Sequence, residues 1–153
     1  MQTQWLACLT LTLFGLVLAK PAPLSHDDDR WDTPRLKQCL VELGYEPKTL
    51  SDKKFEVALT KGDHNIPVGT EVSGSGNYVW LTARLAETPS DEKAGKLLRR
   101  NFKIQPAQFY VTDKGHLMIG MTCDNRGLTN AILRKALDKL TSDVAATADE
   151  WGK

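Results

Sequence analysis

The sequence lacks a strong net charge, has few aromatic residues and contains only three cysteines. Its 153 residues include 20 Lys+Arg and 19 Asp+Glu, for a formal net charge of +1, and aromatic residues make up 7%. A near-neutral chain has no electrostatic footprint for nucleic acid or for an anionic membrane surface, so we predict neither as a partner. So few cysteines also exclude a disulfide-dense scaffold.

Charged residues are absent from residues 1–19, which therefore differ in composition from the rest. Residues 6–18 are almost continuously apolar, but a helix of that length cannot cross a hydrocarbon core about 30 Å thick. The N-terminal position and the small residues Val17 and Ala19 predict a signal peptide, cleaved after Ala19 so that Lys20 begins the mature chain. An uncleaved anchor is the alternative. We expect an exported protein, periplasmic or secreted, with no stable membrane span after cleavage.

The remaining chain is long enough for one domain with a hydrophobic core and too short for two. Two prolines and an acidic run beside His26 predict a flexible linker over residues 20–31. The domain is predicted over residues 32–148, with a C-terminal tail over residues 149–153. His26 and the adjacent aspartates could ligate a metal, but a solvated tail is favoured, so neither a metal nor another cofactor is predicted.

Amphipathic patterns predict three helices. The first has Thr33 as its cap and Gly44 at its end, the second begins after Ser90, and the third begins near Thr129 and fades after Ala148. The buried side of the second helix is predicted to be Ala94, Leu97, Leu98 and, at its end, Phe102.

Alternating apolar and polar residues predict the strands. They are expected over residues 54–60, 66–73, 78–85, 109–112 and 116–123. The last two flank a predicted hairpin turn at residues 113–115. The order α-β-β-β-α-β-β-α predicts an α+β fold, an antiparallel sheet of about five strands with helices packed on one face.

Cys39 and Cys123 are the two cysteines beyond the predicted leader, and both are expected to face the core. In an oxidising compartment a disulfide between them is one possibility, and two buried free thiols are the alternative. Neither His64 nor His116 lies in a recognisable catalytic pattern. We therefore predict no catalytic residues.

Residues 62–77 are rich in glycine and polar side chains. Their Gly-Ser-Gly sequence superficially resembles a phosphate loop, but it leads into a predicted strand and not into a helix, so a hairpin loop is favoured. A small-ligand binder or enzyme that uses this segment as a lid, with Asp63 and His64, is one alternative function. A structural envelope protein is another.

The second face of the predicted sheet carries the main clue to function. Tyr78, Trp80, Tyr110 and Met118 are expected to point away from the helices. Aromatic residues and methionine are enriched in binding surfaces, and a monomer rarely leaves a large apolar patch uncovered. The pattern predicts a face for a protein or peptide partner or for self-association, unless residues 62–77 partly cover it.

Four segments in the second half of the chain follow a recognisable order. They are Leu97-Leu98-Arg99-Arg100-Asn101 at a helix end, Gln108-Phe109-Tyr110-Val111 in a strand, Lys114-Gly115-His116-Leu117 at a hairpin, and a terminal helix over residues 128–144. Together with the order of elements, they resemble the small α/β chaperones of type III secretion effectors. The resemblance implies a non-enzymatic, usually dimeric domain that binds a partner polypeptide. Those chaperones act in the cytosol, whereas this chain is predicted to be exported, so only the binding inference carries over.

Overall fold

The computed structural model of the protein describes residues 29–152, so the predicted leader, its cleavage point and His26 lie outside the described residues. Within that part of the chain, four helices and six strands follow in the order α-β-β-β-β-α-β-β-α-α. The helices are α1 Thr33–Glu42, α2 Asp91–Arg100, α3 Asn130–Ala146 and α4 Ala148–Trp151. The strands are β1 Lys48–Ser51, β2 Lys54–Lys61, β3 His64–Val72, β4 Tyr78–Ala86, β5 Gln108–Val111 and β6 Leu117–Asp124.

The strands form one antiparallel sheet in the order β1-β2-β3-β4-β6-β5, which confirms the predicted α+β class. The sheet has one strand more than expected. The additional strand is β1, whose residues are all exposed and therefore show no alternation of apolar and polar side chains.

Residues 62–77 do not form the single long loop that the alternative of a lid would need. Most of this segment is β3, which pairs with β2 continuously from His64 to Glu71. What remains is a tight turn at Gly62, where φ is +57°, and the short connection between β3 and β4. Gly76 donates its backbone N–H to the Ser73 carbonyl over 2.8 Å in that connection, so it is a hairpin loop, as expected.

The cap of helix α1 lies one residue earlier than predicted. Asp32, not Thr33, is the cap, because its backbone is extended and its carboxylate accepts the Arg35 backbone N–H at 2.8 Å. The helix ends at Glu42, and Gly44, two residues further on, has a φ of +85°, which is readily adopted only by glycine.

Helix α2 buries less than predicted. Ser90 caps it as expected, but Leu97 is the buried residue, whereas Leu98 is 72% exposed and Phe102 is 82% exposed. Neighbouring residues on a helix point about 100° apart, and the narrow contact of α2 with the rest of the domain covers the side of Leu97 and not that of Leu98. None of the helices in the described part of the chain is long and apolar enough to cross a membrane.

The core lies between the sheet and helices α1 and α3. We call the helix-covered side of the sheet the inner face; its central residues are Val57, Val68, Leu81 and Ile119, all fully buried. Helix α3, capped by Thr129, contacts strands β2, β3, β4 and β6, and α1 contacts β3 and α3. Burial of this apolar surface is the main source of stability.

The two cysteines do not form a disulfide. Cys39 on α1 and Cys123 on β6 are both buried free thiols, so the alternative of two free thiols is the one observed. The physical reason is that α1 lies over β3, while α3 is the helix that packs on β6. Burial raises the pKa of the Cys39 thiol to about 11 and also raises that of Cys123, which keeps both protonated and unreactive.

The beginning of the domain is fastened at one end of the sheet by Asn125, which directly follows β6. Its buried side chain accepts the Trp31 backbone N–H at 3.0 Å and donates to the carbonyls of Trp31 and Gly76, each at 2.8 Å. Trp31, which closes the predicted linker, is only 8% exposed and belongs to the core. We call this end of the sheet the rim. The described part of the chain thus begins at the rim, beside the last residues of β6.

Candidate partner-binding face

The side of the sheet opposite the inner face carries the four residues that the sequence pattern selected. We call it the outer face; at its centre are Tyr78, Trp80, Thr82, Gln108, Tyr110, Met118, Gly120 and Thr122. Trp80 is 46% exposed, Tyr78 43% and Tyr110 41%, and Met118 is half-buried. The structure therefore brings the predicted residues onto one surface formed by strands β4, β6 and β5.

Register explains how these side chains are spaced. Trp80 pairs with Thr122, Thr82 pairs with Gly120, and Gly120 pairs in turn with Gln108 on the edge strand β5. Tyr110 lies one row further along, opposite Met118. The two aromatic rings thus stand diagonally across Gly120, which has no side chain to fill the space between them.

A pocket of about 200 Å³ occupies that space. Gly120 forms its floor and Trp80, Tyr110 and Pro106 line it, with Gln108 and Thr122 supplying polar groups. The ring of Tyr110 leans over the floor, because a Cβ placed on Gly120 would come within 3.2 Å of its Cε1 atom. Burial raises the pKa of the Tyr110 phenol, which therefore stays a neutral donor and acceptor at physiological pH. Such a pocket suits an apolar side chain with a hydrogen-bonding backbone.

A shallow trough continues from this pocket across the sheet. Thr82 lies between Gly120 and Gly69, so three small residues cross the sheet in one row. Lys54 closes the far end, since a Cβ on Gly69 would come within 2.7 Å of its Cε atom. No pattern of alternating residues could reveal this trough, because it depends on which glycines become neighbours across strands.

Charged pairs lie at the two ends of the outer face. At the rim, the Arg126 side chain and, more weakly, Arg30 lower the pKa of Asp124 to about 2. At the opposite end, Glu87 accepts from Arg84 at 2.5 Å and lies 3.1 Å from Nδ1 of His116, and the His116 contact is the largest cause of its lowered pKa. These charged side chains pair with one another at the two ends of the outer face. The aromatic residues lie between them, at its centre.

A second apolar surface lies where helix α2 meets β5. Leu98 and Val111 are exposed there beside a groove of about 290 Å³, which Tyr110 also lines. Leu98 was expected in the core, so sequence reasoning missed this surface. The sequence carried no signal for it, because consecutive residues are both buried on α1 and α3 and only packing decides which side of α2 is covered.

The residues of the lid alternative lie elsewhere. Asp63 is exposed in the turn between β2 and β3, and the His64 ring is 6.2 Å from the ring of Trp151, centre to centre. They are at the end of the sheet opposite the rim, away from the outer-face pocket. Within residues 29–152, no group of three or more histidine, cysteine, aspartate or glutamate side chains could hold a metal ion.

Solved structures share this fold. A chain of the ExoU–SpcU complex of the type III secretion system of Pseudomonas aeruginosa is similar with a TM-score of 0.57 and 15% identity, over 76% of this chain and 98% of that chain. A chain from the Yersinia pestis complex of the type III secretion chaperone SycH with a fragment of YscM2 is similar with a TM-score of 0.52 and 14% identity, over 74% and 97%. Neither a protein-family model nor a curated protein sequence matches the chain.

The same fold is also present in YbjN from E. coli, which has been proposed to be a transcription regulator, with a TM-score of 0.55 and 11% identity over 77% of this chain and 92% of that chain. At these identities the likeness establishes the fold alone. The chain therefore has the fold of type III secretion chaperones, which confirms the resemblance of its elements to that family.

Proposed function

We propose that the chain is a non-catalytic domain that binds a protein or peptide partner on its outer face. The observation that carries the proposal is the pocket over Gly120, which none of the residues 29–152 covers and which is lined by the half-exposed rings of Trp80 and Tyr110. Rigid aromatic side chains around a depression supply contact area at a low cost in conformational entropy. The fold supports the proposal, because it is shared with chains from chaperone complexes of type III secretion.

The chemistry of the face favours binding over catalysis. Asp124 is held ionised by Arg126, and Glu87 is held ionised by His116 and Arg84, so these carboxylates are poor general acids. The buried Cys39 and Cys123 thiols have raised pKa values and are poor nucleophiles. What the outer face offers is apolar area with hydrogen-bonding groups at its borders.

The proposal includes the compartment in which the protein acts. We propose export to the periplasm or medium, on the strength of the uncharged apolar segment over residues 1–19. N-terminal sequencing of protein recovered from the exported fraction should begin at Lys20. Recovery of a chain that begins at Met1 would contradict cleavage.

Self-association is proposed through the surface between α2 and β5. Leu98 and Val111 expose apolar side chains beside an apolar groove, and such patches commonly mark interfaces. Light scattering should give a dimer for the wild type and a monomer for Leu98→Glu, while Leu50→Glu on β1 stays dimeric. A monomeric wild type would overturn this part of the proposal.

Partner binding is tested by recovery from the envelope of the exporting cell. The tagged wild type is compared with Trp80→Ala and with Val41→Ser, which removes an exposed side chain from α1 on the other side of the sheet. We expect about tenfold less of at least one partner with Trp80→Ala, a loss typical of a central aromatic anchor, and no change with Val41→Ser. Equal recovery of every protein with all three baits would defeat the assignment of the outer face.

A further inference from the structure

The outer-face pocket has the lining of a site for an extended chain that contains proline. Trp80, Tyr110 and Pro106 offer flat apolar surfaces, and Gln108 and Thr122 offer hydrogen bonds beside them. Aromatic-lined grooves of this kind recognise proline because its ring stacks on aromatic faces and its backbone is already extended. The pocket of about 200 Å³ is large enough for a proline ring or a leucine side chain and small for a drug-sized ligand.

This chain carries such a segment of its own. Residues 20–25 are Lys-Pro-Ala-Pro-Leu-Ser, with Pro21, Pro23 and Leu24 as the apolar members. Each proline holds its own φ near −65° and disfavours the helical region for the residue before it. An extended segment of this composition therefore loses little conformational entropy when it binds in a groove.

The described chain begins close to the pocket and on the correct side. Trp31 is fastened to Asn125 by two hydrogen bonds, and its ring enters the core. Arg30, one residue earlier, acts electrostatically on Asp124, whose side chain lies on the outer face beside Tyr78. The described chain thus begins at the rim, with Arg30 near enough to the outer-face residue Asp124 to act on its charge.

The remaining length is sufficient. From Asp124 to Gly120 along β6 is four residues, or about 13 Å at the rise of a strand. From Asp29 back to Leu24 is five residues and to Pro23 is six, which span about 16 to 20 Å when extended. Leu24 and Pro23 therefore reach the pocket, and Pro21 reaches the next row of the sheet.

We propose that the segment Pro21–Leu24 of this chain docks in the pocket over Gly120 and occupies the outer face until a partner displaces it. The inference rests on the proposed function, because it assigns a competitor to the same face. Because the segment is tethered, its effective concentration at the pocket is about millimolar. It therefore occupies the pocket for most of the time if its dissociation constant there lies below that concentration. A partner must bind more tightly than this segment, and that requirement makes the face selective.

The first test is hydroxyl-radical footprinting of the purified full chain without a partner, read residue by residue by mass spectrometry. Pro21→Ser/Pro23→Ser/Leu24→Ser should raise the oxidation rates of Trp80 and Tyr110 by about threefold, because the segment no longer covers them. Tyr45, on the other side of the sheet, serves as the internal reference. Leu50→Ser is the control variant and should leave all three rates unchanged. Unchanged rates at Trp80 and Tyr110 in the triple variant would overturn the proposal.

The second test is disulfide trapping, which distinguishes this chain's segment from that of a second copy. Leu24→Cys is combined with Gln108→Cys in a Cys8→Ser background, and with Val41→Cys as the control pair on α1. The buried, protonated Cys39 and Cys123 should not compete. Rapid formation of an intramolecular bond with position 108 alone supports the proposal, whereas a cross-linked dimer or equal trapping at both positions overturns it.

The two proposals fail in different experiments. If the outer face binds a partner but the segment does not dock, Trp80→Ala lowers partner recovery while the footprint of the triple variant equals that of the wild type. If the segment docks but no partner uses the face, the footprint changes and Trp80→Ala leaves recovery unaltered. If both hold, the triple variant recovers more partner than the wild type does, because its competitor is gone.

Discussion

Alternate residues of strand β4 lie in two different environments. Val79 and Leu81 face the helices and are fully buried, whereas Tyr78 and Trp80 face away from them and remain nearly half exposed. Both sets belong to the same strand and the same hydrogen-bonded ladders to β3 and β6. The difference is the layer of helices on one side only. The inner face thus holds the fold, whereas none of the described helices covers the outer face.

The largest expected effect is the difference in the free energy of unfolding lost when a buried or an exposed leucine is truncated. Leu81→Ala should lower the free energy of unfolding by about 3 kcal/mol, because it leaves a cavity under the helices. Leu50→Ala, the same change at an exposed residue of β1, should cost less than about 0.5 kcal/mol. Urea denaturation of both variants measures the difference. Similar losses would contradict the assignment of the core to the inner face alone.

The next largest effect on stability is expected at the rim, the end of the sheet that lies beside Asn125. Asn125→Ala should cost about 2 kcal/mol, because it removes the three hydrogen bonds that this buried amide makes to Trp31 and Gly76. Hydrogen exchange should show a faster-exchanging Trp31 amide. Asn130→Ala, which loses a surface contact with Glu42, is the control and should change stability much less. A loss no larger than that of the control would mean that the rim does not fasten the start of the domain.

A smaller effect on stability is expected on the outer face, together with a clear effect on binding. Gly120→Ala should cost at most about 1 kcal/mol, since the new methyl group would lie 3.2 Å from Tyr110 Cε1 and 3.3 Å from the Leu81 carbonyl oxygen. It should lower partner recovery in the envelope assay as Trp80→Ala does, because it fills the pocket floor. Gly74→Ala, with nothing near its added Cβ, is the control. Undiminished recovery with Gly120→Ala would show that the pocket is not used.

The smallest effect is a pH dependence at the rim. Arg126 and Arg30 hold the pKa of Asp124 at about 2, below its usual 3.8, so the ionised carboxylate stabilises the folded state above pH 3.8. That contribution is lost as the pH falls from 3.8 through 2. Asp124→Asn should therefore flatten the decline in melting temperature over this interval. An identical decline in the variant would show that the pair contributes nothing, as many exposed pairs do.

Alternation was a reliable guide where a strand has a helix on one side only. The sequence of β4 predicted both the buried set and the exposed set, and β6 was predicted within one residue at each end. Prediction failed where alternation is weak. The exposed β1 has no buried side, and β3 begins two residues before its predicted start at Ile66. Pro67 has no backbone N–H to donate to a neighbouring strand. It is tolerated inside β3 because it precedes the residues of β3 that pair with β4.

The candidate site was predicted in part for the same reason. The shared orientation of Tyr78 and Trp80 follows from their spacing along one strand, so the sequence was sufficient for it. The pocket between Trp80 and Tyr110 was not predictable, since it requires Gly120 to lie between their strands. The exposure of Leu98 was likewise hidden, because periodicity shows that a helix has an apolar side but not how much of it the sheet covers.

By itself, the sequence determined the α+β class, three of the four described helices with their approximate ends, and which side chains share a face in the strands it predicted. These features depend on neighbours within a few residues, through the periods of helix and strand and the demands of caps and turns. Only the tertiary structure decided that the two cysteines stay apart, that Gly120 is the floor of an aromatic pocket, and that the domain begins at the rim beside it. Those features depend on strand order and on which helix covers which strand, and both are set by long-range packing, which no local pattern encodes.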